Sequence, residues 1–507
     1  MNYDIFKFWK GHDPNKIVFE QDGNETTYND LAENIEKRIA IFEQIGIEKQ
    51  NHVVISINDQ QVYMEVFLAL WSLNVTIIPI DFQISSSNFW KIIKESDANY
   101  IISNSIRNYA ALEGAESKYH NLKKIVLLRD NKIEVTDVNC DTNKTSWLTE
   151  QKFPEVAGFF MLFTSGTSGE CKGIVLKKKS FLNNVRKVIT YTQLQDSDIL
   201  LMNLPLSYSF ALSQVCAHLM MGGKIILSVN NVYNSLTLLE IKEKNVTNYP
   251  ATPYFYETLV KEFQTKKEEI DIGNLRFFMS AGGYINPFVI EEIVKKFPSV
   301  IFYNNYGQTE ASPRISYNRI DITNTDFKGA GRPLTGVEIK IFGEDRVEVE
   351  DNNIGEIWYK SEDLMLGYYR KNILNPEQYF MSGDLGYIDN NNLVIVGRND
   401  SILKINGRKV YKNYIENSIY ELPYVSNVKL KKEKHNIYGE YFCAYVVPKD
   451  YEDNKTIIDK IYEFCKKNFN AYERPKKIVI CKEISLSSNK KVTFKTATED
   501  IGEIARR

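Results

Sequence analysis

Short, nearly continuous apolar runs recur through the first 300 residues: HVVISI from His52, VTIIPI from Val75, NYIIS from Asn99, KIVLL from Lys124, DILLMN from Asp198, KIILS from Lys224, NYPAT from Asn248, LRFFMS from Leu275 and VIFYNN from Val300. Runs this short suit strands, and runs without polar alternation suit strands buried on both faces. Helical patterns lie between them. TTYNDLAENIEKRIAIFEQIG opens with Thr27 and Asp30 in capping-box spacing, sets Leu31, Ile35, Ile39 and Phe42 on one face, and stops at Gly46. Alternation of this kind implies an α/β class with parallel sheets covered by helices. Two such sheets are expected, one on each side of the glycine-rich segment FTSGTSGECKG at residues 163–173.

From about Gly331 to Gly397 the pattern changes to short strands broken by Gly, Asp and Asn turns, which suggests a small β-barrel or meander. After GRND the chain reads as a compact α+β unit. It has a helix near 414–420, strands at SNVKLK and YFCAYVVP, a helix over 457–464 and a strand at KIVIC. The boundary is placed at Asn399–Asp400, giving expected domains 1–398 and 399–507.

A length of 507 residues fits more than one domain. With 63 basic and 65 acidic residues the formal charge is −2, so charge offers no case for nucleic acid or a membrane surface as partner. The six cysteines show no C-x-x-C spacing and read as reduced thiols. MNYDIFKFWKGHDP lacks the apolar core of a signal peptide, and no run reaches the ~18 apolar residues of a membrane span. A cytoplasmic protein is expected.

Five segments carry chemistry. The loop at 163–173 has glycines at Gly166, Gly169 and Gly173 with Lys172 before the last of them, unlike the P-loop order of Gly, Lys and a hydroxyl. Its backbone N–H groups and hydroxyls suit phosphate oxygens, and Lys172 adds a compact charge; a surface turn is the plainer alternative. In NNYGQTEAS, Tyr306 offers a ring for stacking a base and Glu310 a hard oxygen for magnesium. In SGDLGY, Asp384 sits at a Gly-flanked turn where a carboxylate can accept from two ribose hydroxyls. VGRNDSILKINGRKV crowds Arg398, Asp400, Lys404, Gly407 and Arg408 at the domain junction, and SLSSNKKVTFK holds Lys490 and Lys491. Solvated charged loops are the alternative for these two.

In order and spacing these segments resemble the adenylate-forming superfamily of acyl-CoA synthetases, peptide-synthetase adenylation domains and luciferases, through essentially the whole chain. The resemblance implies a large N-terminal domain of two doubly wound α/β subdomains plus a small β-barrel, followed by a small mobile α+β C-terminal domain. It also implies ATP-dependent conversion of a carboxylic acid to acyl-AMP, with release of pyrophosphate and transfer of the acyl group to CoA or a carrier-protein phosphopantetheine. By carry-over, Thr164, Ser165, Gly166, Thr167, Ser168, Gly169 and Lys172 hold the phosphates. Gly282, Gly283, Asn305, Tyr306, Gly307, Gln308 and Thr309 surround the nucleotide, Asp384 and Arg398 its ribose side, and Glu310 the magnesium. Asp400 is the hinge, Gly407 the segment brought forward for thiol transfer, and Lys491 the lysine that stabilises charge on the reacting phosphate, with Lys490 second.

Both loops depart from the family pattern: Ser168 and Cys171 replace a usual Thr and a frequent Pro, Lys490 replaces a usual Gly, and Ser485 a nearby Pro. The acid pocket is expected from LPLSYSFALS, NYPATPYFY and SAGGYINP, with Tyr208, Phe210, Tyr254 and Ala281 as lining. No acidic residue lies between Leu204 and Met221, which argues against an α-amino acid substrate. Arg314 is read as a pairing site for a second acidic group or, more plainly, as an exposed arginine. With few residues after Lys495, the carrier is expected to be separate. A stand-alone amino-acid adenylating enzyme and a non-catalytic nucleotide or acyl-adenylate binder are the alternatives.

Overall fold

The computed structural model describes residues 8–104, 119, 121–129, 132–138, 159–165, 171–228, 234–265, 271–371, 373–375, 377–399, 402–405, 408–435, 439–449, 453–486 and 492–503. The first helix, Tyr28–Ile45, bears out the sequence signals at both ends. The Asp30 N–H donates to the Thr27 hydroxyl at 3.1 Å, and the Thr27 N–H donates to the Asp30 carboxylate at 3.0 Å. Gly46 closes the helix at φ +94°, in the left-handed region.

All nine apolar runs are strands, and they fall into two large sheets. One has eight strands, in the order Gly367–Tyr368, Cys171–Lys177, Phe159–Ser165, Thr76–Pro79, His52–Ser56, Tyr100–Ser103, Lys124–Arg129 and Lys132–Asp137. It is parallel from Phe159–Ser165 to Lys124–Arg129 and antiparallel at both edges. The other has nine, in the order Arg332–Pro333, Arg314–Ile320, Ile301–Gly307, Phe277–Ser280, Asn248–Ala251, Ile199–Met202, Lys224–Leu227, Ile17–Gln21 and Asn24–Thr27. Its interior is parallel from Ile301–Gly307 through Ile17–Gln21.

The sheets do not divide at the glycine-rich loop as expected. The hairpin of Ile17–Gln21 and Asn24–Thr27 belongs to the second sheet, with Phe19 opposite Ile225, and the loop joins two neighbouring strands of the first. Local patterning carries no information about a partner strand that distant. Helices Gln60–Ser72 and Ser209–Met221 lie in one apolar cluster together with strands of both sheets. That accounts for their burial all round, with residues 63–71 and 211–220 each continuously buried.

Beyond the second sheet, Val337–Phe342, Gly355–Ser361, Phe380–Asp389 and Asn392–Arg398 form the expected small antiparallel unit, in meander order, and its first and last strands do not pair among the described residues. The physical reason lies at its last strand. The outer edge of that strand is already taken, since the Ala330 N–H donates to Leu393 O at 2.7 Å and the Leu393 N–H to Gly331 O at 2.8 Å. Glycine is required at that seam. A Cβ on Gly331, at φ +70°, would stand 2.0 Å from Tyr317 O.

The C-terminal part has its own apolar cluster, built on Val410, Ile415, Val428, Phe442, Ile457 and Ile461. A hairpin of Ile402–Ile405 and Arg408–Tyr411 leads to helix Lys412–Tyr420. Then come a four-stranded sheet of Val425–His435, Gly439–Pro448, Lys477–Leu486 and Val492–Glu503, and helix Asn454–Asn468. The hairpin and the last strand went unread in the sequence. Among the described residues no helix is long and apolar enough to cross a membrane.

Candidate functional site

Three parallel strands run at their carboxyl ends into segments singled out above: Phe159–Ser165 into the glycine-rich loop, Phe277–Ser280 into SAGG and Ile301–Gly307 into the segment of Tyr306 and Glu310. The carboxyl ends of such strands are the usual place for a ligand. The glycine-rich loop follows Phe159–Ser165. Thr164 pairs with Lys172 and Ser165 with Cys171, so the loop springs from the base of an antiparallel pair whose second strand the sequence reading left out. Gly166, Thr167, Ser168 and Gly169 lie outside the described residues.

A distant segment completes this base. The Tyr369 N–H donates to Gly173 O at 2.7 Å and the Leu366 N–H to Val175 O at 2.8 Å. A Cβ on Gly173 would meet Phe163 Cζ at 3.0 Å and Tyr369 Cβ at 3.2 Å, so the glycine allows the close approach. The pairing brings Tyr368 beneath Lys172, whose Nζ stands 5.4 Å from the ring centroid. On its other side the Tyr368 hydroxyl donates to Glu310 Oε1 at 3.0 Å. Burial pushes the Glu310 carboxyl up from the ordinary range, opposed by that hydrogen bond and by Arg398.

Tyr306 ends strand Ile301–Gly307 and donates its hydroxyl to Asp384 Oδ2 at 2.6 Å. Burial and the Asp384 charge hold this phenol far above its ordinary value. Asp384 and Arg398 are direct cross-strand partners in the meander, with Arg398 Nε 3.4 Å from Asp384 Oδ1. The expected turn at Asp384 is instead part of strand Phe380–Asp389, irregular at Gly383 with φ +78°; there the Ser382 hydroxyl accepts from the Asp384 N–H at 3.0 Å and donates to Ile357 O at 2.7 Å. The structure therefore brings together Lys172, Tyr306, Glu310, Asp384 and Arg398.

Two tyrosines were missed. One is Tyr368. The other is Tyr359, fully buried, whose hydroxyl has no partner among the described residues and whose ionisation is opposed by burial and by Glu310, Tyr306, Tyr368 and Asp384 around it. The only sequence signal for Tyr359 was its inward place in the alternation of Gly355–Ser361.

The other nucleotide-side residues divide by what they touch. Asn305 is buried, donates its amide to Ser280 O and Tyr303 O, and accepts from the Tyr191 hydroxyl at 2.6 Å, so it ties the strand ends together. Gly307 is demanded by packing, because a Cβ there would lie 1.9 Å from Pro313 O. Gln308 and Thr309 open the short 3-10 turn that presents Glu310, and Gln308 Nε2 has no partner among the described residues. Ala281 is buried, while Gly282, at φ +89°, and Gly283 face solvent.

On the acid side two of the expected lining residues lie outside the core. Tyr208 is 54% exposed and Tyr254 74%, at the ends of helices where the site opens. The Tyr208 hydroxyl donates to Asp81 Oδ2 at 3.0 Å, so a carboxylate reaches this rim from outside the segment 204–221. Phe210 is half-buried, with the Arg314 guanidinium 4.4 Å from its ring centroid. Arg314 is 2% exposed, and the exposed reading is corrected: its place at the start of a strand, directly across from Gly307, carries it inward. Asp400, Gly407, Lys490 and Lys491 lie outside the described residues.

Such a group of residues can hold a polyphosphate ester. Lysine and arginine match its charge, and Asp384 can accept from a diol. Glu310 is one hard oxygen ligand, which suits magnesium because that ion keeps waters and takes further oxygens from phosphates. No cluster of three or more His, Cys, Asp or Glu occurs among the described residues, so a metal caged by protein alone is not what these residues fit.

Residues 6–369 match the family model described as AMP-binding enzyme, and residues 414–491 match its C-terminal domain. A D-alanine–D-alanyl carrier protein ligase of Bacillus licheniformis is 24% identical, over 96% of this chain and 97% of its own. An oxalate–CoA ligase of Arabidopsis thaliana is also 24% identical, over 92% and 90%. Among solved structures, ATP-bound MatB of Rhodopseudomonas palustris superposes with a TM-score of 0.79 at 20% identity, covering 96% of each chain. With the family model matched over residues 6–369 and its C-terminal model over 414–491, the chain belongs to the AMP-binding, adenylate-forming enzymes.

Proposed function

We propose that the protein is an AMP-forming acid–thiol ligase. A carboxylate oxygen of the acid attacks the α-phosphorus of ATP, the bond to the bridging oxygen breaks, and pyrophosphate leaves. A thiol sulfur then attacks the acyl carbon and AMP departs. The observation that carries this reading is the convergence of Lys172, Tyr306, Glu310, Asp384 and Arg398 at the carboxyl ends of the strands. Tyr306 offers its ring to the adenine, Asp384 accepts from the ribose hydroxyls, and Arg398 holds Asp384 in place. Lys172 and the glycine-rich loop receive the β- and γ-phosphates. Magnesium, held by Glu310, neutralises phosphate charge when bound.

Lys491 supplies the cation for charge that builds on the pentavalent phosphorus, where a positioned charge is most effective. The C-terminal unit, divided from the rest at Asn399–Asp400, turns about Asp400 to exchange Lys491 for the Gly407 segment before thiol transfer. The named relatives use a carrier protein and CoA respectively, which supports a phosphopantetheine thiol of either kind as acceptor.

ATP–pyrophosphate exchange across fatty, aryl, hydroxy, dicarboxylic and amino acids tests the reading, with Lys491→Ala beside the wild type. Exchange that depends on acid and magnesium is expected, falling at least about a hundredfold in the variant. Undiminished exchange in Lys491→Ala would move that role to another cation. ATP binding without exchange for any acid would sink the reaction itself.

A further inference from the structure

Arg314 is the least ordinary charge in the molecule. It is 2% exposed and makes no ion pair with any described residue. Its surroundings are apolar or neutral: the face of Phe210 at 4.4 Å, Met279 Sδ at 3.7 Å from Nη2, and the phenol of Tyr191. Its Nε has no acceptor among the described residues. A buried guanidinium without a counter-charge is costly, and buried charges in folded proteins are paired as a rule.

The chain invests in holding it there. The Arg314 N–H donates to Asn184 Oδ1 at 3.1 Å, and Asn184 Nδ2 donates back to Arg314 O at 3.0 Å and to Ala311 O at 3.3 Å. Asn184 is itself fully buried. Tyr191, beside the guanidinium, is fixed by its bond to Asn305 and by stacking on Tyr317 with ring centroids 4.1 Å apart. One helical turn beyond Phe210, Gln214 is 3% exposed, with an Nε2 that also lacks a partner among the described residues. Phe210, Met279 and Arg314 come from the three segments that bound the acid side: the start of helix Ser209–Met221, the strand leading into SAGG, and the strand after Glu310.

Resting on the adenylation reading, we infer that Arg314 is a specificity-determining residue that binds a second anionic group on the acid, making the substrate class a dicarboxylic acid or its equivalent. The reacting carboxylate meets the nucleotide side, and the distal one takes the bidentate face of the guanidinium. A neutral tail leaves that charge unpaired, which is how such a site rejects the uncharged analogue.

The test is exchange kinetics with matched acids, succinate against butyrate and phthalate against benzoate, for the wild type, Arg314→Gln and Arg314→Lys. The wild type is expected to favour the dianion of at least one pair by about tenfold or more in kcat/KM. Arg314→Gln should lose that preference while still exchanging with the neutral acid, and Arg314→Lys should keep its direction at reduced size. Where Arg314→Gln fails to fold, the wild-type preference and the lysine variant decide. Wild-type exchange confined to uncharged tails, or a preference unchanged in Arg314→Gln, overturns the inference and leaves adenylation standing. Exchange with no acid at all overturns both.

Discussion

Lys178 opens helix Lys178–Thr192 and is 1% exposed, its Nζ donating to Trp71 O at 3.0 Å and lying 4.9 Å from that indole. Burial lowers its amine from 10.5 to about 7. Between those values the unfolded chain binds the proton that the folded chain has released, so this group adds stability as pH rises from about 7 towards 10.5. Thermal melts across that window should show a rising midpoint that flattens in Lys178→Met, and an unchanged slope would refute it. Buried charged and phenolic groups mark the limit of what the sequence told. Glu310 and Asp384 were legible because each sits in a short motif that creates its surroundings. The burial of Arg314 and Tyr359 was not, because it comes from residues distant in the chain, such as Asn184, 130 residues before Arg314, and Tyr306 beside Tyr359, and no local spacing records it.

Among the elements, the two-residue strand Gly367–Tyr368 has more effect than its length suggests. It binds the loop base to Glu310 through one phenol, so Tyr368→Phe should lower kcat for adenylation about tenfold with a native melt. A wild-type rate in that variant would count against the link. The seam at Gly331 is the other weak point. Gly331→Ala adds a Cβ against Tyr317 O at a left-handed φ and should cost at least about 2 kcal/mol in urea unfolding. Apolar runs announced the buried strands because they are too short for a helix, whereas the longer apolar stretches became buried helices. The strand Val492–Glu503 stayed hidden because VTFKTATEDIGE alternates threonines and charges, as an edge strand can afford to. Meander and barrel differ only in whether the outer strands meet, which the backbone of residues 329–331 decides by occupying one edge.

At the scale of the whole molecule, polar and ring contacts join described residues of the N-terminal body and the C-terminal unit. The Tyr284 hydroxyl donates to Glu421 Oε1 at 2.6 Å, Asn286 Nδ2 donates to Tyr420 O at 3.1 Å, and Lys449 lies 4.4 Å from the Phe288 ring centroid. Contacts of this kind hold an orientation without locking it. Replacing Tyr284 by Phe and Asn286 by Ala together should speed tryptic cleavage after Arg398 or Lys404 several-fold, with global stability in urea falling by only the about 1 kcal/mol that loss of the Asn286 helix cap costs. Equal cleavage rates would show that these bonds do not set the arrangement.

The pairing of Phe19 with Ile225 has a consequence for how the chain is made. At a synthesis rate of about 5–20 residues per second, the opening hairpin leaves the ribosome roughly 10–40 s before the strand it lies against exists. For that interval Val18 and Phe19, buried in the finished sheet, have no native cover. Nascent-chain chaperones should therefore engage the hairpin of residues 17–27, and a ribosome stalled anywhere short of Leu227 should leave that hairpin open to proteases.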